Sequence, residues 1–479
     1  MATPPADGAG NLRPRMPLDG QDRGFFGHPK ALAYLLGAEG GWAFAYFGLQ
    51  GTLTLYMTQT LLKPGHVEHV LGFSAYRAAV QSLYGPLTPL GLASATFGLA
   101  TALIYALPIV GGLLADRWIG QRRAAIAGVL VLTLAHGLLI AEPTFLVALA
   151  MIAAGTGLLK TALVGQIGRL YAPGDDRRTR GFGLYLIAMN TGALLTPLVV
   201  GTLGERLGWS FGYSAAAIGM GIAALCYLAG VRGTPADAVR TRRDGSRAAP
   251  RLRPGDARVI SVLLLMVVLD GVWRGVYVQA FNVFPVWASG HVDRHLFGFV
   301  MPVTWFSTLD GILTIVGAAL AVRIWTWQRK RGGDLTDIRR ISVGFLLATA
   351  AFLSLTLGAV TGGYGAGPLA APLIFFILID FSIPWIDTVI LTMVSRDTPA
   401  AVGSTMLGVY YLATAGGKLL TGWLGGLADR MSMPSFWLLH AAINGAILLF
   451  LVLAGFRLNQ LLARRRGAEA AAADVASFV

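Results

Sequence analysis

The sequence is short of charge. Only 13% of its 479 residues are Asp, Glu, Lys or Arg, while 55% are hydrophobic and the mean hydropathy is +0.63. That excludes a soluble globular domain and points to a polytopic membrane protein. Cysteine is nearly absent. Cys226 is the single one and lies in an apolar stretch, so no disulfide framework exists. No HExxH pattern and no strand–turn–helix nucleophile elbow is read, and an enzyme is not expected. The histidines form no ligand set. His66 and His69 are three apart without an acid or cysteine cluster, and read as part of a solvated loop. His136 and His440 lie mid-helix and read as core hydrogen-bonders. No metal or cofactor is expected. Residues 1–24 are polar, rich in Pro, Gly and Arg, and lack the apolar segment of a cleavable signal peptide; they read as a disordered cytoplasmic lead.

What is present is a series of apolar runs. A spanning helix needs about 20 mostly apolar residues. Twelve such spans are expected, at 33–61, 92–115, 123–141, 144–165, 182–204, 210–230, 259–288, 297–325, 340–362, 367–394, 402–425 and 435–457. Residues 62–91 read as a long outer connection. Residues 231–258 read as a basic cytoplasmic linker, with Arg232, Arg240, Arg242, Arg243, Arg247, Arg251, Arg253 and Arg258. Residues 25–230 and 259–460 form the two halves, and 461–479 a cytoplasmic tail.

The net charge of +14 could suggest nucleic acid, but its distribution does not. Most of the 38 Lys and Arg fall at the termini and in alternate loops. Lys63, Arg77, Arg206, Arg294 and Arg430 fall on the other side, and Lys160, Arg274 and Lys418 lie within spans. This is the positive-inside pattern, with both termini cytoplasmic. An inner-membrane, multi-pass, monomeric protein follows as the expectation.

Charges inside the spans carry the functional signal. They are Glu39, Lys160, Asp270, Arg274, Asp310, Asp380, Asp387 and Lys418. A charge at the bilayer centre costs about 2.5–3.5 kcal/mol on insertion scales, so each needs a partner or a watery cavity. Glu39 on span 1 is the expected partner of Lys160 on span 4. Asp270 and Arg274 are four apart on one helix face and can pair directly. Asp380 and Asp387 are seven apart, with Pro384 between them expected to bend the helix. Asn190 reads as a helix–helix hydrogen-bonder.

The run GGLLADRWIGQRR, Gly111 to Arg123, resembles the loop signature of the major facilitator superfamily. The resemblance implies an all-α membrane fold of twelve helices in two six-helix bundles, rocking around a central cavity, with Asp116, Arg117 and Arg123 at the gate. A narrower resemblance covers nearly the whole chain. FFGHPKAL, Glu39 with Tyr46-Phe47-Gly48, IYALPIVGGLLADRWIGQRR, GTGLLK, GHVDRHLFGFVMPVTWFSTLD and TPAAVGSTMLGVYYLATA together resemble the proton-dependent oligopeptide transporter family.

That resemblance implies proton-coupled uptake of di- and tripeptides or peptide-like small molecules. It also implies substrate contacts from Tyr46, Gln50, Tyr105, Lys160, Gln279, Asp310, Asp380, Asp387 and Tyr410. The departures are specific. Trp42 and Ala43 replace the family's second helix 1 acid and its arginine, and Gln50 replaces a further arginine. Val278 stands for the helix 7 acid, Ile383 for the helix 10 glutamate, Asp310 for an asparagine and Tyr410 for a tryptophan. Asp387, with Asp310, is expected to take over the cationic end of a ligand. Glu39 with Lys160 is expected to couple protons, protonation of Glu39 releasing Lys160, with Asp270 and Arg274 as a gate or second proton site. The alternative on the same fold is a facilitator or exporter of a non-peptide solute with altered coupling. A membrane-embedded enzyme and a non-transporting sensor are the remaining readings, and no motif supports either.

Overall fold

The computed structural model describes residues 22–477 apart from 173, 236, 238–251, 253–254, 334 and 363–366, with side chains throughout except at 404 and 463–477. The expected lead 1–24 and the linker arginines other than Arg232 and Arg258 therefore lie largely outside the described residues.

Twelve long helices cross back and forth. They are α1 (Lys30–Tyr56), α2 (Pro89–Leu114), α3 (Gln121–Leu138), α4 (Phe145–Arg169), α5 (Arg177–Thr196), α6 (Trp209–Gly230), α7 (Asp256–Tyr277), α8 (Trp305–Lys330), α9 (Asp337–Gly362), α10 (Ala370–Ile383), α11 (Gly403–Gly425) and α12 (Met433–Ser477). Among the described residues nine segments are long and apolar enough to cross a membrane. The less apolar three are α1, α3 and α11. The first holds Glu39 and Gln50, the second opens on Arg122 and Arg123, and the third is glycine-rich around Lys418. Large apolar side chains such as Leu225, Leu453 and Phe456 remain exposed on outward faces, as lipid-facing helices require.

Within the first half α1 packs on α5 and α6, and α4 on α2 and α3. Within the second α9 packs on α10 and α12, α7 on α11, and α8 on α10. The halves meet mainly through α2 against α11 and α5 against α8. Proline sets two interruptions. Lacking an N–H, Pro197 and Pro384 each open a π-helical turn, Pro197–Gly201 and Pro384–Thr388, and the latter carries Asp387.

Four expectations are corrected. Residues 62–91 are not simply a loop, because Phe73–Tyr84 forms an amphipathic helix with Phe73 and Val80 buried. The span expected from 297 starts at Trp305. Before it, His295–Leu296 pairs with Phe299–Val300 across a turn in which Phe297 and Gly298 take positive φ. The seventh span is broken: a 3-10 turn, Val278–Ala280, precedes a second piece, Val283–His291. The twelfth continues to Ser477 through an alanine-rich stretch of high helix propensity. His136 and His440 do bond core carbonyls, of Leu132 at 2.9 Å and Phe436 at 2.7 Å.

The two ends of the bundle differ. At the end opposite the basic loops, the far end, the halves are tied together. Glu205 accepts from Val303 N at 2.9 Å and from the Thr304 hydroxyl at 2.7 Å, and Trp305 Nε1 donates to Thr202 at 2.8 Å. Thr54 and Ser94 both donate to Asn282, at 2.8 and 3.1 Å, and Arg430 donates to the Pro86 carbonyl at 2.8 Å. Beneath these, α2 and α11 touch backbone to backbone: a Cβ on Gly98 would lie 2.8 Å from Gly422 Cα. Between described residues of the two halves, the hydrogen bonds and ion pairs lie at this end or at mid-depth. This arrangement is closed at the far end.

The Gly98–Gly422 contact gives a test. Gly422→Leu should prevent the far end from closing. Flux through reconstituted protein should fall by about tenfold or more, which requires only about 1.4 kcal/mol against the closed state. A cysteine placed at the buried Ser94 should become reactive to an impermeant maleimide only in the Gly422→Leu background. Unchanged reactivity would show that this contact does not hold the end shut.

Candidate functional site

Two charged clusters sit in the membrane interior, one in each half. In the first, Glu39 on α1 is fully buried and its carboxylate is held by the Lys160 ammonium from α4. Lys160 also donates to the Tyr185 hydroxyl on α5 at 2.7 Å, and its Nζ sits 4.0 Å from the centre of the Trp42 ring. The second Glu39 oxygen is buried with no hydrogen-bond partner. Trp42 is fixed by donating to Thr156 at 3.2 Å and stacks on Tyr46, with ring centroids 5.0 Å apart. Tyr46 donates to Gln50 at 2.5 Å. The residue that replaces an acid thus supplies an aromatic face for the lysine.

In the second cluster, Arg274 donates through Nε to Asp270 at 2.8 Å. Its Nη2 meets Asp387 from the π turn of α10 and donates to the Tyr410 hydroxyl on α11 at 2.7 Å. Tyr410 in turn donates to Asp387. Trp273 stacks on Tyr277, centroids 5.3 Å apart, and Tyr277 donates to Asp310 on α8 at 2.8 Å. Asp380, fully buried on α10 beside Asp310 and Thr314, has no hydrogen-bond partner on either oxygen.

The clusters match in layout. Each draws an ion pair and a tyrosine from the same three positions in its half, α1, α4 and α5 in one and α7, α10 and α11 in the other, six helices on, although the cation lies on α4 in the first and on α7 in the second. Their sequences match as well: Glu39-Gly-x-Trp42-x-x-x-Tyr46 and Asp270-Gly-x-Trp273-x-x-x-Tyr277 share one spacing. This repeat is legible in the sequence alone. It pairs Trp42 with Trp273 and Tyr46 with Tyr277; Tyr185, on α5, carries no such signal.

The structure brings Glu39 to Lys160 and Asp270 to Arg274 as expected. It does not leave Asp387 free for a ligand cation, because Arg274 and Tyr410 already occupy it. Gln279 is fully buried at the break in α7, donating to the Thr421 carbonyl at 3.0 Å and accepting from Asn282 at 3.1 Å. Asn190 bonds its own helix, at the Leu186 carbonyl, rather than another helix. Tyr105 is half-buried beside Tyr46. At the basic end, Asp116 and Arg117 are exposed, Asp116 accepts from Gln121 at 3.0 Å, and Arg123 lies 4.0 Å from Asp237. Among the described residues no His, Cys, Asp and Glu group could hold a metal, and His66 instead meets Glu142 at 2.7 Å.

The shared arginine predicts an order of stabilities. Arg274→Met leaves two acids without their cation and should destabilise by about 3–5 kcal/mol. Asp387→Asn leaves Arg274 paired with Asp270 and should cost much less. Thermal unfolding of the purified variants would check this, and equal losses would contradict the shared role.

Comparison with known proteins places these clusters in context. The sequence profile of the POT family matches residues 124–236 and 256–438. The peptide transporter YePEPT of Yersinia enterocolitica is 26% identical, over 86% of this chain and 90% of that one. A di-/tripeptide transporter of Lactococcus lactis subsp. cremoris is 25% identical, over 83% of this chain and 89% of its own length. The crystal structure of a peptide transporter POT in complex with sulfate superposes with a TM-score of 0.80 at 22% identity, covering 93% of this chain and 99% of that one, and so has the same fold. With its twelve helices in two bundles and a profile match over more than half its length, the chain belongs to the POT family of multi-pass membrane transporters.

Proposed function

We propose that the protein couples proton entry to the uptake of di- or tripeptides or peptide-like small molecules by alternating access. The relatives named as peptide transporters support the substrate class. The observation that carries the mechanism is the Glu39–Lys160 pair, an acid and a lysine from different helices with one carboxylate oxygen unpartnered.

In this reading protonation neutralises Glu39. Lys160 then keeps only the Tyr185 hydroxyl and the Trp42 face, neither of which carries charge. Its ammonium becomes available to a ligand carboxylate, so proton and substrate enter together. The cationic end of the ligand is assigned to Asp310 and Asp380, whose oxygens meet no cation among the described residues, rather than to Asp387. Tyr46, Gln50, Tyr105 and Tyr410 line the space between these charges. Asp270 and Arg274 with Asp387 and Tyr410 act as the second-half gate, and Asp116, Arg117 and Arg123 as the basic-end gate. The basic end faces the cytoplasm of an inner membrane, both termini lie there, and the closed far end makes this the inward-facing state.

Proteoliposomes carrying a proton gradient test the coupling. Glu39→Gln should abolish uphill dipeptide accumulation while retaining dipeptide exchange between the two sides. Full gradient-driven accumulation by Glu39→Gln would remove Glu39 as the coupling acid.

A further inference from the structure

One intramembrane cation has no place in the scheme above. Lys418 on α11 is 5% exposed, and no hydrogen bond or ion pair joins it to any described residue. Lys160 and Arg274, by contrast, are each held by carboxylates. The Lys418 ammonium lies 5.1 Å from the centre of the Tyr105 ring on α2. An aromatic face eases the desolvation of a cation but does not neutralise it. The nearby charge is Arg274, which is also positive and already committed to its own acids. The local field therefore favours an anion.

The position fits a ligand subsite. The Lys418 backbone lies at the α2–α11 contact, where its carbonyl would be 2.8 Å from a Cβ on Gly98. From there the side chain reaches along α2 toward Tyr105, two helical turns nearer the basic end. It sits directly beneath the glycine contact that shuts the far end. Tyr105 adjoins Tyr46, which is anchored on Gln50, so hydroxyl donors stand beside the ammonium. When α2 and α11 part, the same ammonium becomes reachable from the far side.

We propose that Lys418 is a docking point for the carboxylate of the transported ligand, an anion subsite on α11 beneath the far-end closure. This rests on the transport reading of the same chamber. It makes the protein favour ligands with a free carboxylate, held from α11 as well as from Lys160.

Thermal-shift measurements on the purified full-length protein, at constant ionic strength, test it with three probes: sulfate, alanylalanine and alanylalanine amide. Wild type and Lys418→Arg should be stabilised by sulfate and should prefer the dipeptide acid over its amide by about tenfold, as for loss of one charge-assisted hydrogen bond. Lys418→Gln should lose the sulfate response, and its acid-over-amide preference should shrink several-fold. Lys418→Gln with a wild-type sulfate response and a wild-type acid-over-amide ratio would overturn the subsite. A wild type that binds dipeptides but ignores sulfate, with affinities unmoved in Lys418→Gln, would overturn it while leaving peptide transport standing. A sulfate response lost in Lys418→Gln, with no response to either dipeptide form, would support the anion subsite and instead remove peptides as the substrate.

Discussion

The structure depends on one constraint: a charge taken into the bilayer interior must find its opposite. In this chain the partner usually comes from another helix, so compensating the charge also fixes the packing. Glu39 ties α1 to α4, and Arg274 ties α7 to α10 and, through Tyr410, to α11. Such pairs contribute little net stability, because desolvation offsets most of the attraction. Their value lies in being conditional. Adding a proton or a ligand ion changes which partner is present, and the cost of an orphaned charge drives the helices to rearrange.

The clusters are alike in layout but opposite in polarity. In the first half the acid lies on α1 and the cation on α4. In the second the cation lies on α7, beside an acid of its own helix, and another acid comes from α10. The first cluster is neutral as drawn, one acid to one lysine. The second carries two acids to one arginine. Neutralising Glu39 therefore leaves a lone cation, whereas neutralising Asp387 leaves a complete Asp270–Arg274 pair. A proton on the first half releases a binding charge, while one on the second merely loosens a brace. That asymmetry is why the coupling role is assigned to Glu39 rather than to the better-networked Arg274 group.

Much of this was legible in the sequence. Apolar runs of sufficient length located the spans because a membrane helix must satisfy its backbone internally, which leaves hydropathy as a strong signal. Glu39 and Lys160 could be matched because few other unpaired charges lay at comparable depth. Other features were not legible. Phe73–Tyr84 is short and interrupted by Ser74, Arg77, Gln81 and Ser82, so it resembles a loop in a hydropathy reading. The break in α7 occurs at Val278–Asn282, a run with no Gly or Pro of its own; the Thr421 hydroxyl of α11 donates to the Gly275 carbonyl there, and Gln279 donates to the Thr421 carbonyl and accepts from Asn282. The capture of Asp387 by Arg274 depends on the π turn at Pro384, whose presence could be read but whose effect on side-chain direction could not.

The far-end closure connects these parts. Helices approach to backbone contact where small residues meet, and Gly98 and Gly422 do so directly above Lys418. The polar bonds around Glu205 and Asn282 then hold the rim shut, with Arg294 3.8 Å from Glu205 across the two halves. A rim built from hydrogen bonds can exchange each of them for water when it opens, which costs far less than baring a charge. The chain thus keeps its buried charge clusters at mid-depth, where proton and ligand can act on them, and closes its far end with small residues, hydrogen bonds and the charged side chains of Glu205, Arg294 and Arg430 at the rim. Because the few charges of the closing surface pair at the rim itself, its opening and shutting can be governed by the occupancy of the clusters beneath it.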